Sequence, residues 1–78
     1  MTPWHTCYDS FMSTLDWALH ESKEDSVIYR KGTDEVVMMQ GSANISITLP
    51  VADIMYRTTL INTPENVQAY LKLHLSKN

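Results

Sequence analysis

A chain of 78 residues is expected to form one domain, residues 1–78. A domain this short buries only about 60% of the surface its unfolded form exposes, so its stability margin is thin. With 44% hydrophobic and 19% charged residues the composition is that of a globular domain and argues against disorder. A net charge of −3, with nine acids against six Lys and Arg and no basic run, argues against direct nucleic-acid binding, which draws most of its affinity from phosphate neutralisation.

The single Cys7 allows no intramolecular disulfide, and the first residues lack the charged and apolar regions of a signal peptide, so a cytoplasmic location is expected. No apolar run approaches the roughly 18 residues that span a bilayer, so no membrane partner is expected.

In chain order, Thr2 followed by Pro3 reads as an N-cap with proline at the first helical position, and the apolar spacing predicts a helix running to about Ser22. At roughly 100° per residue, Trp4, Tyr8, Phe11, Leu15, Ala18 and Leu19 share one stripe. Trp17 then points away, among Asp9, Ser13, Asp16 and His20, where a core has no use for it. Because Trp concentrates binding energy at interfaces, Trp17 is a candidate contact residue, with Asp16 and His20 (an i, i+4 pair) beside it. Glu21, Glu24 and Asp25 beside Lys23 read as a solvated helix end.

From Ser26 the period changes to that of strands, and Gly32 and Gly41 fall between short β-rich runs. The spacing predicts an antiparallel meander of three strands near 26–30, 35–40 and 44–49, with turns at 31–34 and 41–43. Ile45, Ile47 and Leu49 alternate with Asn44, Ser46 and Thr48, so that strand has one core face and one wet face. Val36, Val37, Met38 and Met39 put apolar side chains on both faces of the second strand. It is therefore read as central, with an outer face that lacks a cover.

Residues 50–61 fit either element: Val51, Ile54, Met55 and Thr58 have helical spacing, while Ile54, Tyr56, Thr58 and Leu60 alternate. A short helix from Pro50, at about 50–57, is the expectation, with β-branched Thr58, Thr59 and Ile61 limiting it. Thr63-Pro64-Glu65 then starts a last helix to about Ser76, with Val67, Tyr70, Leu71, His74 and Leu75 as its inward stripe. The predicted fold is a small α+β domain, a three-stranded antiparallel meander packed against N- and C-terminal helices. Two helices cover only one sheet face, so either Val36 with Met38 or Val37 with Met39 stays partly open. This α-β-β-β-α order resembles that of double-stranded RNA-binding domains in length and sequence of elements. Those domains open their last helix with a basic cluster, where this chain has Thr63-Pro64-Glu65-Asn66, so the resemblance is one of topology alone.

No arrangement of residues rises to a catalytic, metal or nucleotide motif, and neither an enzyme nor a cofactor is expected. His5 and Cys7, two apart, point in different directions on a helix. Asp16 and His20 lack the further ligands that zinc needs. Cys7 reads as a buried, inert thiol and His74 as a core histidine, leaving a minimal hydrolase built on them the weakest reading. The function expected is a non-enzymatic protein-binding module, an inhibitor or adaptor of a larger complex. Small acidic proteins of this kind often act so, and those borne by phages and other mobile elements, such as anti-defence proteins, are one such group; that step is association by class. Its partner would be another protein or a second copy, held through Trp17, Asp16, His20 and the open face carrying Val37 and Met39. The alternative is a homodimer sheltering a small apolar ligand between two sheets, lined by Met38, Met39, Tyr29 and Tyr56.

Overall fold

A computed structural model describes residues 3–75 of the chain. Its elements are α1 (Thr6–Thr14), β1 (Ala18–Ser22), β2 (Ser26–Lys31), β3 (Asp34–Gln40), β4 (Asn44–Val51), β5 (Ile54–Ile61) and α2 (Pro64–Leu75). The five strands form one antiparallel sheet in sequential order, β1-β2-β3-β4-β5. The class is α+β, but two strands join the expected meander, one at each edge. With five strands, the element order no longer matches that of double-stranded RNA-binding domains.

The first added strand arises because α1 stops eight residues before Ser22. Asp16 adopts φ 69°, the left-handed region that a short polar side chain tolerates better than most. The Asp16 N–H then donates to the Ser13 carbonyl at 3.0 Å and the Trp17 N–H to the Met12 carbonyl at 2.9 Å. These two bonds are those of a Schellman motif, with aspartate where glycine is usual. The motif aligns Trp17 with Met12, and both are buried in the core, Trp17 at 5% exposure. The reading of Trp17 as an outward-facing helical residue is thereby corrected. It follows the helix, faces inward, and releases Ala18–Ser22 to run as a strand. Asp16 and His20 no longer share a helix, and Glu21 lies on β1 with Glu24 and Asp25 in the β1–β2 turn rather than at a helix end. The expected N-cap Thr2 lies outside the described residues. The residue before the helix is His5, which makes no side-chain cap bond.

The second added strand replaces the expected helix at 50–57. Ala52 and Asp53, at φ 52° and 69°, form a two-residue turn between Val51 and Ile54. Positive φ at both positions is the type I′ hairpin geometry, here made without the usual Asn or Gly. The alternating reading of Ile54, Tyr56, Thr58 and Leu60 therefore prevails, because pairing with β4 over eight residue pairs outweighs weak local helical spacing. The β3–β4 ladder ends at Val37 and Thr48, two residues before Pro50, which has no N–H to extend it.

Directly opposed residues in an antiparallel sheet share a face. Val27, Met38, Ile47 and Thr58 form one row, and Tyr29, Val36, Leu49 and Tyr56 lie along the next. Except for Thr58 and Tyr56, these side chains are buried, together with Tyr8, Met12, Trp17 and Ile45, and with Val67 and Leu71 of α2. Both helices cover this face. Thr63 caps α2 as expected, its Oγ1 accepting the Asn66 N–H at 3.2 Å, with Pro64 at the first helical position.

Two substitutions test the ends of the added strands. Trp17→Ala is expected to cost about 3–5 kcal/mol, the range for truncating a buried Trp, read by denaturant unfolding. A loss under about 1 kcal/mol would return Trp17 to the surface. Ala52→Asn with Asp53→Gly is expected to raise the melting temperature, since both residues then suit positive φ; a fall would contradict the type I′ turn.

Candidate functional site

The uncovered sheet face takes the alternate residues. Glu21, Ile28, Val37, Thr48 and Arg57 cross it as one row, and Ser26, Met39, Ser46 and Thr59 as the next. Ile28 and Val37 are half-buried by their neighbours alone, and Met39 is exposed. The open pair is thus Val37 with Met39, while Val36 and Met38 belong to the core. At one end Arg30 is hydrogen-bonded to Glu35. That bond is the main cause holding the Glu35 carboxyl below the usual carboxylate range; desolvation opposes it, and the Arg30 charge and then the nearby His20 add to the lowering. A register shift between Leu19 and Glu21 sets His20 as the extra residue of a β-bulge opposite β2.

Of the five candidate contact residues, Val37 and Met39 therefore share the open face. His20 stands at its β1 margin, as the extra residue of the bulge. Trp17 is on the other side of the sheet, and Asp16 is exposed in the turn after α1. Ile28 is a third apolar member of the face, legible from its place between Val27 and Tyr29 in an alternating strand. The residues expected to line a shared apolar pocket do not meet. Met38 and Tyr29 are fully buried on the covered face, Met39 is on the opposite one, and Tyr56 is exposed near the β4–β5 turn.

The two sheet edges differ. β1 is five residues long, interrupted by its bulge, and carries Ala18, Leu19, His20, Glu21 and Ser22. β5 is eight residues long and pairs without interruption. Four of the seven large apolar side chains exposed among the described residues lie on it: Ile54, Met55, Tyr56 and Ile61, each between 53% and 65% exposed.

The principal buried polar group joins α1 to the sheet. His5 Nδ1 and Asp9 Oδ1 lie 3.0 Å apart, and the Tyr29 hydroxyl donates to the same carboxylate oxygen at 2.6 Å. The Tyr8 hydroxyl donates to Asn62 Oδ1 at 3.4 Å, and Asn62 Nδ2 donates to Gln40 Oε1 at 3.2 Å. His5 and Asp9 have the same i, i+4 spacing that singled out Asp16 and His20, so the sequence carried this signal at a position where the helix does form. His5 is buried and has Trp4 edge-on at 5.8 Å. Its surroundings make the group a tie between helix and sheet, with a ring too enclosed to meet a substrate.

Cys7, expected to be buried, is exposed, its thiol 3.5 Å from the Trp4 carbonyl. His74 is half-buried, its ring 4.5 Å from that of Tyr70. An open depression of about 540 Å³ lies between the β2–β3 turn and the end of α2, with Trp17, Lys31, Asp34, Pro50 and His74 among its walls. The Lys31 ammonium is engaged there by the Leu15 carbonyl at 3.2 Å. Among the described residues no cluster of three or more His, Cys, Asp or Glu could hold a metal, and no helix is long and apolar enough to cross a membrane. No family model, curated protein or solved structure matches the chain.

The buried phenols set an alkaline limit. Burial, with Cys7 adding to it, pushes the Tyr8 hydroxyl up to about 12, and burial followed by the bond to Asp9 raises Tyr29 further. Both are raised relative to the unfolded chain, so their contribution is complete below pH about 10 and is lost as pH rises from there through the folded values. Absorbance titration at 295 nm is expected to show Tyr8 and Tyr29 ionising only as circular dichroism reports unfolding. Ionisation of all four tyrosines before unfolding would contradict the buried network.

Proposed function

We propose that the protein is a non-enzymatic binding module that holds another protein against the uncovered face of its sheet, as an inhibitor or adaptor of a larger complex. The observation that carries this reading is the one-sided cover of the sheet. Ile28, Val37 and Met39 form an apolar centre with no element of the described residues above them, rimmed by Arg30, Glu35, Arg57, His20 and Glu21. An apolar centre with a polar and charged rim is the usual anatomy of a recognition surface. The His5, Asp9 and Tyr29 side chains are engaged in the tie between α1 and the sheet, and Lys31 with a backbone carbonyl. The contact set is therefore Val37 and Met39 with Ile28, and His20 at the margin; Trp17 acts through the core, and Asp16 through the turn that positions it. Small adaptors and inhibitors of this build include those that phages and mobile elements direct against host defences, and we place the protein among them by class alone.

Met39→Glu puts a charge in the centre of the face on an exposed side chain. Its stability is expected to change by less than about 1 kcal/mol. Immobilised wild-type protein is expected to retain a host or co-encoded protein that the variant loses, a deficit of about 2 kcal/mol or more in affinity. Equal retention by both would overturn the assignment of the face.

A further inference from the structure

An edge strand leaves the outward half of its N–H and C=O groups without sheet partners, and proteins blunt such edges with bulges, charge or short length. β1 carries all three devices: five residues, a bulge, and Glu21 with His20. β5 carries only one, Arg57, on eight continuously paired residues. Its exposed Ile54, Met55, Tyr56 and Ile61 make an apolar border on an edge open to pairing up to Leu60, the Ile61 carbonyl already accepting the Thr63 N–H at 2.9 Å.

The border continues onto α2. The Tyr70 hydroxyl donates to Thr58 Oγ1 at 2.8 Å, and Asn66 Nδ2 donates to the Ile61 carbonyl at 3.4 Å, so the flank of α2 carrying these residues overlies β5. Leu73, three residues beyond Tyr70 and seven beyond Asn66, shares that flank and is 75% exposed.

We propose that β5 pairs with β5 of a second copy of this chain, antiparallel about a two-fold axis at Thr58, to form one ten-stranded sheet. The chemistry of the strand selects both the occupant and the register. Both faces stay matched only when residues of the same alternation are opposed, because a one-residue slip exchanges the faces. The two such registers that overlap nearly the whole strand place the axis at Arg57 or at Thr58. The first sets Arg57 against Arg57 of the second copy, a like-charge contact that destabilises a pair. The second sets Arg57 against Thr59, Met55 against Ile61 and Tyr56 against Leu60, each occurring twice by symmetry. Apolar side chains then meet apolar ones on both faces, and each charge meets a hydroxyl. Because β1 is blunted, pairing stops at two copies and does not extend into a filament.

This association is separate from the partner on the open face and is measured on pure protein. Light scattering across a wide concentration range is expected to show the mass rising from 9.0 kDa to twice that value. Thr59→Lys sets a lysine against Arg57 of the second copy at two places and is expected to weaken dimerisation about tenfold. Thr59→Glu is expected to strengthen it. Arg57→Glu combined with Thr59→Lys is expected to restore it to near the wild-type level, which also shows that the lysine did not act by unfolding the chain. A monomer at every concentration would overturn the pairing while leaving the open-face reading standing. A dimer unmoved by these changes but dissolved by Met39→Glu would place the two-fold contact on the open face and overturn the edge register.

Discussion

The whole arrangement depends on the chain leaving its first helix at Asp16. With the left-handed turn there, Trp17 enters the core beside Met12, and the next five residues extend β2 by one more strand. A helix continued to Ser22 would carry Trp17 into solvent, remove a large part of the core and leave β2 as an edge. The turn is stabilised by backbone bonds from Asp16 and Trp17 and by burial of the indole, worth several kcal/mol for a side chain of this size, against about 1–2 kcal/mol for left-handed backbone at a non-glycine residue. Burial wins, and the helix ends without a glycine.

Once five strands are formed, two short helices set what remains exposed. α1 and α2 have nine and twelve residues and lie on one face, tied down by the His5–Asp9–Tyr29 group and by Tyr70 on Thr58. The opposite face keeps an apolar centre, and β5 keeps an apolar edge whose hairpin end, Ile54–Tyr56, is exposed on both sides. The covered face, the open face and the free edge thus have different chemistry. The first holds the core, and we propose the second as the seat of a partner protein and the third as that of a second copy.

Much of this was legible in the sequence wherever local and tertiary preferences agree. The three central strands fell at nearly their observed bounds because Gly32 and Gly41 mark the turns and Ile45–Ile47–Leu49 alternate. Thr63-Pro64 marked α2 by its own capping chemistry. The apolar residues on both faces of β3 implied an uncovered side bearing one of two pairs, Val36 with Met38 or Val37 with Met39, and the burial of Val36 and Met38 leaves the second. What was illegible shares one cause: both added strands begin at left-handed turns made by Asp16 and by Ala52-Asp53, residues that do not announce positive φ as glycine or asparagine would. Helical periodicity across residues 4–19 was genuine up to Leu15 and accidental beyond it. Trp17 was therefore placed outside by extrapolating a helix that a single backbone conformation ends.

In the proposed dimer β5 changes from a free edge to a paired strand, and residue-resolved amide hydrogen exchange at low and high protein concentration reports that directly. Alternate amides of residues 54–61 should exchange rapidly in dilute solution and become protected as concentration rises, with β1 unchanged. Rapid exchange of the same β5 amides at every concentration, or new protection confined to β1 or to the Val37–Met39 strand, would contradict it.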